Sequence, residues 1–221
     1  FYADYANKMK SSIQNGLFAN DMLPRHLMGA YVLAFAFDLV DDIHREEYKQ
    51  RLISLVEEHG YCLQTGFLAT PFLMDALEKI GRKDLAKAIL YQTQSPSWLY
   101  EVEKGATSMW ESWTAMDGNG NPEKVSFDHY AFGVIDEWFR RRVCGIDFIE
   151  AGFKKIKIAP DTFYGFEKFS RTLVAEAGEI KVARNRDTLS VSIPVNTTAI
   201  VEWQGKTYEI GSGDYVFGWD K

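Results

Sequence analysis

Apolar residues recur at helical spacing through the first part of the chain. The segment Pro24–Val40 (PRHLMGAYVLAFAFDLV) is apolar on nearly every face, which predicts a fully buried helix. The following segment, IHREEYKQRLISLVEE, carries apolar residues on one stripe and charges on the opposite face, as an amphipathic helix does. The predicted stripe consists of Tyr48, Leu52, Leu55 and Val56. Buried and amphipathic segments follow one another across short loops, which is typical of paired inner and outer helices.

The next segments repeat this pairing. Thr70 is the predicted N-cap of the helix TPFLMDALEKIG, with Pro71 in its first position and Gly81 at its end. The segment KDLAKAILYQ predicts a shorter, more exposed helix. Counting one near the N-terminal FYADYANKMKSSIQN, the helical half holds about six segments.

The pattern changes after about Gly145, where short β-branched or alternating runs are separated by turn-forming residues. The runs are RTLVAEA, EIKVAR, TLSVSIP, TAIVEW, KTYEI and DYVFGW. Their spacing predicts a small antiparallel β-sandwich, which follows the linker CGIDFIEAGFKKIKIAP. We therefore predict an α+β chain of two domains, with residues 1–145 helical and residues 146–221 forming the sandwich.

Charge and composition exclude several classes of partner. The formal net charge of -6 argues against a nucleic-acid partner, because phosphate binding needs a basic face. No apolar run is long enough to span a bilayer. The histidines His26, His44 and His59 do not pair at metal-ligand spacing, and the loop GNGNP lacks the strand and helix of a phosphate cradle. We expect neither a cofactor nor a metal. Cys62 and Cys144 are predicted to be buried free thiols, which leaves the compartment open.

Candidate chemistry is concentrated between Gln92 and Tyr130. The stretch GATSMWESW places one carboxylate, Glu111, between two indoles. A pyranose stacks its C–H face on such rings while its hydroxyls bind acids and imidazole, so the stretch suits a sugar-binding cleft. The alternative is that the rings simply cap the helical core. The aromatic residues concerned are Trp98, Tyr100, Trp110 and Trp113.

His129 lies a short distance downstream, in SFDHYAFG. Asp128 is predicted to cap the helix HYAFGVIDEWFRRRV, which puts His129 in the first turn of that helix. Two interpretations remain open for this histidine, a sugar contact or a purely structural side chain.

Four segments together resemble a known family. LQTGFLATPFL, SPSWLYEVEKGATSMWESW, FDHYAFGVIDEWFRRRVCGI and GFKKIKIAP occur in the order and approximate spacing seen in bacterial α-L-rhamnosidases of glycoside hydrolase family 78. The resemblance implies part of an (α/α)6 barrel followed by a C-terminal β-sandwich, and inverting hydrolysis of terminal α-L-rhamnosides. We expect a soluble bacterial protein, of the cytoplasm or of the periplasm.

Residue roles follow from the resemblance by position. Glu111 matches the general base that activates the attacking water, and Trp110 matches the tryptophan beside it. His129 matches the histidine that contacts the sugar. Trp98, Tyr100 and Trp113 are expected to line the cleft and contact the rhamnoside.

The general acid of the family is not recognisable in this sequence. The family carries it in an acidic motif of the form Asp-Glu-Arg-x-Gly-Trp-x-Gly-Asp, and the 221 residues do not contain that motif. Asp117, Glu101 and Glu103 do not match it, and Glu101 and Glu103 are expected on the cleft rim. We therefore expect a fragment that is inactive alone, carrying half of an active site.

Two further expectations follow. The alternative function is a carbohydrate-binding module that uses the same aromatic cleft without turnover. The apolar helices Pro24–Val40 and Pro71–Ile80 would lack partners in half a ring, so self-association is also expected.

Overall fold

The computed structural model describes residues 1–18, 23–117 and 119–218. It divides into two compact units, residues 1–134 and 135–221. Helices form the first unit, and the described strands lie in the second, as the sequence pattern predicts. The division falls at Val134, before the predicted change of pattern at Gly145, and the domain limits 1–145 and 146–221 stay a prediction.

The helical unit is built from consecutive helix pairs. Its α-helices are α1 (Tyr2–Ile13), α2 (Met28–Ala36), α3 (Arg45–Glu58), α4 (Thr70–Lys79), α5 (Lys83–Leu90) and α6 (Trp98–Glu103). A π-helical turn, Gln14–Phe18, follows α1, and a 3-10 helix, Ala131–Val134, closes the unit. Helix α2 packs against α3 and α4, and α4 packs against α5. Inner helices α2 and α4 are therefore each paired with the helix that follows.

The amphipathic stripe predicted for α3 is confirmed. All four of its residues are buried, and Tyr48 meets Tyr31 of α2 edge to face with 5.4 Å between ring centroids. The charged positions of α3 lie on the exposed side. Burial of one apolar stripe thus joins α3 to its inner partner.

The buried helix predicted over Pro24–Val40 is shorter than expected. Its helical part is α2 alone, because Leu27 has extended backbone at one end. At the other end Asp38 has a φ of 54°, a left-handed conformation that a helix cannot continue. Residues 24–27 are exposed, whereas Met28, Tyr31 and Phe35 are buried.

The predicted cap of α4 is wrong by one residue. Ala69 is the N-cap, and Thr70 is the first helical residue. The Thr70 hydroxyl instead donates to the carbonyls of Thr65 and Gly66, at 3.0 and 2.9 Å. Because the hydroxyl is turned back toward the preceding loop, it does not bind the first free amides of the helix.

The second unit begins with a short helical segment and continues as two sheets. Helix α7 (Ile135–Trp138) runs into a π-helical segment, Phe139–Val143. The strands are β1 (Ile146–Phe148), β2 (Lys155–Ile158), β3 (Lys168–Ala175), β4 (Gly178–Asn185), β5 (Thr188–Ile193), β6 (Thr198–Trp203), β7 (Lys206–Ile210) and β8 (Gly213–Gly218). They form the sheets β1-β2-β6-β7 and β3-β4-β5-β8. The last predicted run, DYVFGW, includes Trp219, which lies outside the described residues.

Two strands lie where a linker was predicted. The segment CGIDFIEAGFKKIKIAP contains β1 and β2, and β2 pairs in parallel with β6. The sandwich is therefore antiparallel except for this one described pair. Ile156 and Ile158 of β2 are fully buried in the core shared by the two sheets, so the linker prediction is wrong. The residues of β2 form a strand because they pair with β6, which comes much later in the chain.

Gly145 marks the start of the first sheet. Its φ is +70°, and a Cβ there would lie 2.2 Å from the backbone of Ala159 and Pro160. Only glycine fits this close approach of two backbone segments. In the same unit, Arg171 of β3 and Asp136 of α7 form a bidentate ion pair, and this guanidinium lowers the pKa of the Asp136 carboxyl.

Two further expectations concern single features. Cys62 and Cys144 are buried free thiols, as predicted. Across the described ranges, every helix is too short or too polar to cross a bilayer.

Candidate functional site

Residues 105–117 and 119–130 lie between α6 and the 3-10 helix, and the two ends of this loop run side by side. The amide of Glu111 donates to the carbonyl of Ser126 at 3.0 Å, and the amide of His129 donates to the carbonyl of Met109 at 2.8 Å. The Ser108 hydroxyl donates to the Phe127 carbonyl at 2.6 Å. These bonds bring the segment that carries Glu111 next to the segment that carries His129.

The Glu111 carboxylate is half-buried and held from one side. Its Oε2 accepts the amide of Ser126 at 2.8 Å. Among the described residues, Oε1 accepts no hydrogen bond. One oxygen is therefore fixed by the backbone, while the other is available to accept a proton.

Helix α6 precedes this loop and forms hydrogen bonds with it. The sequence pattern does not predict this helix, which begins where the Ser97 hydroxyl accepts the amide of Tyr100 at 3.1 Å. The signal was present in the sequence, because Ser97 follows a proline and precedes a short apolar run. Tyr100 is half-buried, its hydroxyl donates to the Met116 carbonyl at 3.2 Å, and Lys104 lies over its ring.

The three predicted cleft indoles are buried. Trp98, Trp110 and Trp113 are 7%, 3% and 8% exposed. Trp113 stacks on Phe132 with ring centroids 3.8 Å apart and meets Trp98 edge to face at 5.7 Å. Trp98 donates its Nε1 hydrogen to the Phe132 carbonyl at 3.1 Å. Trp98 and Trp113 thus form a small aromatic core with Phe132, whereas Trp110 meets Phe127 edge to face at 5.3 Å. The sugar-binding role of all three indoles stays a prediction.

His129 lies outside the predicted helix. The 3-10 helix begins at Ala131, two residues after His129, so Asp128 does not stand at the cap position of a helix. The Asp128 amide donates to the Ser126 hydroxyl at 3.2 Å. The imidazole itself accepts the amide of Ala131 on Nδ1 at 3.3 Å. A neutral imidazole that accepts on Nδ1 carries its proton on Nε2, so Nε2 is the donor left for a ligand.

Two exposed aromatic rings flank His129. The imidazole stacks on the ring of Phe67 at 4.9 Å and on the ring of Tyr130 at 5.3 Å between centroids. Phe67 is 43% exposed and Tyr130 is 89% exposed, so both rings are accessible to solvent. Neither ring is predicted as a site residue from the sequence. Their place in the motifs LQTGFLATPFL and HYAFG was the available signal.

Glu101 is buried, contrary to the expected position on a cleft rim. Glu101 is 2% exposed, whereas Glu103, two residues later, is exposed. Oε2 of Glu101 accepts the amide of Trp110 at 3.3 Å, and Oε1 has no hydrogen-bond partner among the described residues. Burial raises the pKa of Glu101 from 4.5 to about 7, and the Trp110 amide opposes that shift.

Within the described ranges, no group of three or more His, Cys, Asp or Glu side chains is arranged to hold a metal ion. Two surface depressions, of about 320 and about 280 Å³, lie on the strand unit, and strand residues line both. Neither contains Glu111 or His129.

Family comparisons match both units. Residues 1–143 match the bacterial alpha-L-rhamnosidase 6 hairpin glycosidase domain, and residues 145–216 match the bacterial alpha-L-rhamnosidase C-terminal domain. The chain is 39% identical over 180 residues to an alpha-L-rhamnosidase of Formosa agariphila, covering 78% of this chain and 19% of that protein. It is 33% identical over 208 residues to one of Streptomyces avermitilis, covering 90% of this chain and 20% of that protein. The chain thus spans about a fifth of the length of these curated relatives.

Solved structures agree with these matches. The Streptomyces avermitilis alpha-L-rhamnosidase complexed with L-rhamnose superposes with a TM-score of 0.86 at 30% identity, over 99% of this chain and 24% of that one. The Aspergillus terreus alpha-L-rhamnosidase superposes with a TM-score of 0.84 at 26% identity, over 98% and 26%. The predicted fold class, part of an (α/α)6 barrel followed by a β-sandwich, is confirmed.

Proposed function

Because the chain belongs to the bacterial α-L-rhamnosidase family, we propose that it supplies the general-base side of an active site that hydrolyses terminal α-L-rhamnosides with inversion. The observation that carries this proposal is the Glu111 carboxylate, held by the Ser126 amide on a loop that is bonded to the His129 segment. Glu111 takes the role of the base, and His129 that of a sugar contact. Trp110, Trp98, Tyr100 and Trp113 complete the proposed rhamnoside-binding set.

Inverting hydrolysis needs two carboxyl groups, one as general base and one as general acid. Oε1 of Glu111 accepts a proton from water as the water attacks the anomeric carbon, while Oε2 stays on the Ser126 amide. On the opposite face, an acid protonates the leaving oxygen, and the two carboxyl groups of an inverting enzyme stand about 6.5–9.5 Å apart. The acidic motif that carries this acid in the family is absent from these 221 residues. We therefore propose a partial active site.

A second candidate function is a carbohydrate-binding module. The absent acidic motif favours it for this chain in isolation, since a sugar held at Glu111 and His129 would not be cleaved. The two proposals differ in whether Glu111 acts on water or only hydrogen-bonds the sugar.

We expect the purified chain to bind L-rhamnose without hydrolysing an unactivated rhamnoside. Without an acid the aglycone would leave as an unstabilised alkoxide. Binding is measured by calorimetry or NMR titration, and hydrolysis by release of reducing sugar. His129→Asn keeps an acceptor for the Ala131 amide and removes the Nε2 donor, so it should weaken rhamnose binding about tenfold, the value of one hydrogen bond, at an unchanged melting temperature.

Two results would contradict this proposal. Robust turnover of an unactivated rhamnoside, abolished by Glu111→Gln, would require an acid within the chain. A His129→Asn variant that loses stability but keeps its rhamnose affinity would make His129 a structural residue. The exposed Glu103→Gln is the matched control, because it changes a nearby carboxylate without touching the loop.

We also propose that the chain self-associates, although not through the helices first expected. Residues Leu73, Met74 and Leu77 of α4 are buried within the unit, as is most of α2. Helix α1 has no buried residue, and it exposes Tyr2, Tyr5 and Met9. Light scattering at tens of micromolar should show an oligomer that Tyr5→Asp dissociates, whereas a clean monomer would refute the proposal.

A further inference from the structure

Glu101 is a buried carboxyl group that the proposed mechanism does not use. Glu101 lies on α6, packed against the loop that carries Glu111, and it is 2% exposed. A carboxyl group in such a position is costly unless it is bonded or neutral. Its backbone carbonyl accepts the amide of Ala106, so both its main chain and its side chain contact the loop.

The side-chain contact falls next to the proposed base. Oε2 of Glu101 accepts the amide of Trp110, the residue that precedes Glu111. On its other side Glu111 is bonded to Ser126 through its own amide and through its carboxylate. The backbone at residues 110 and 111 is therefore fixed from two directions, by Glu101 and by Ser126.

Within the part of the chain that the structure describes, no cation pairs with the Glu101 carboxyl group. Among the described residues its carboxyl group has the Trp110 amide as its hydrogen-bond partner, and Oε1 has none. On its own helix, Glu103 and Lys104 are exposed, and the Lys104 ammonium lies over the Tyr100 ring. On the loop, the charged group nearest in sequence is Glu111, a like charge that is bonded to Ser126. Glu101 therefore fits the buried position best in its neutral form.

We propose that Glu101 is a positioning residue for Glu111, which holds the loop at Trp110 while its carboxyl group is neutral and loosens the loop when it ionises. The proposal rests on the proposed function only in naming Glu111 as the base. The contact that Glu101 makes is to a backbone amide, so its effect on Glu111 is transmitted through one peptide unit. Ionisation would leave a charge beneath the loop, and opening of the loop would return that charge to water.

The direction of the pH effect follows from the pKa values. An unfolded or opened Glu101 ionises near its ordinary pKa of 4.5, whereas the closed state keeps the proton up to about 7. Between these values the closed state binds more protons, so its stability falls as the pH rises through this window and stays low above it. The difference of about 2.5 pKa units corresponds to about a 300-fold change in the opening or unfolding equilibrium.

The test uses NMR on the whole chain, with Glu101→Gln, Glu101→Met and the exposed control Glu103→Gln. Gln keeps an acceptor for Trp110 and cannot ionise, whereas Met removes the acceptor at similar length. In Glu101→Met we expect the Trp110 amide to lose hydrogen-exchange protection about tenfold or more, and the Ser126 amide signal to move as its bond to Glu111 weakens. Glu101→Gln should restore both signals.

The pH series provides the second measurement. From about pH 4.5 to 7, the unfolding constant of the wild type should rise by up to about 300-fold relative to that of Glu101→Gln, and Glu103→Gln should follow the wild type. A Ser126 signal that does not respond to Glu101→Met would overturn the proposal, and so would equal pH slopes in the wild type and Glu101→Gln. If Glu101→Met does not fold, the wild-type and Gln series still decide. Neither measurement needs sugar, so loss of rhamnose binding with an intact Ser126 response would count against the proposed function alone.

Discussion

Glu111→Gln, made in a longer rhamnosidase that contains this segment together with the acidic motif, is expected to lower kcat by about two to four orders of magnitude. That is the usual contribution of a positioned general base. The amide of Gln keeps a carbonyl oxygen that can accept the Ser126 amide, so the loop should retain its geometry. KM should change little, because the base acts mainly in the transition state.

Steady-state kinetics on an aryl rhamnoside and on a natural rhamnoside measure this effect. Glu103→Gln provides the control, since Glu103 is an exposed acid on α6 with no described contact to the loop. Near wild-type turnover in Glu111→Gln would remove Glu111 from the role of base. A raised KM at constant kcat would instead favour a carboxylate that only binds the sugar, as in a carbohydrate-binding module.

Trp113→Ala is expected to reduce the free energy of unfolding by about 3–5 kcal/mol, the usual cost of truncating a buried aromatic ring. Trp113 is 8% exposed and lies between the rings of Trp98 and Phe132. Removing the indole would leave a cavity in the aromatic core beneath the Glu111 loop. Chemical denaturation of the purified chain measures the change.

Trp113→Phe separates packing from sugar binding. It keeps an aromatic ring against Phe132, and it loses little hydrogen bonding because the Trp113 Nε1 has no partner among the described residues. It should therefore recover most of the stability. If Trp113→Ala weakened rhamnose binding at an unchanged unfolding free energy, the indole would be a sugar contact, as first expected from the sequence.

The sequence by itself determined the features that depend on local periodicity. The buried stripe of α3 and most of the strand runs after Gly145 were predicted correctly, because each repeats the period of its own secondary structure over several residues. The resemblance to rhamnosidases came from motifs that are contiguous in the chain. The same motifs singled out Glu111 and His129, which the structure brings onto neighbouring segments.

Only the tertiary structure decided what depends on distant partners. The sequence predicts a linker where β2 lies, because the strand that pairs with β2, β6, comes much later in the chain. Glu101 and Glu103 are both acids on the same short helix, yet one is buried beneath the Trp110 amide and the other faces water. Burial and hydrogen bonding are set by the residues that fold back onto a position. For that reason the burial of Glu101 next to the Glu111 loop could not be predicted from the sequence.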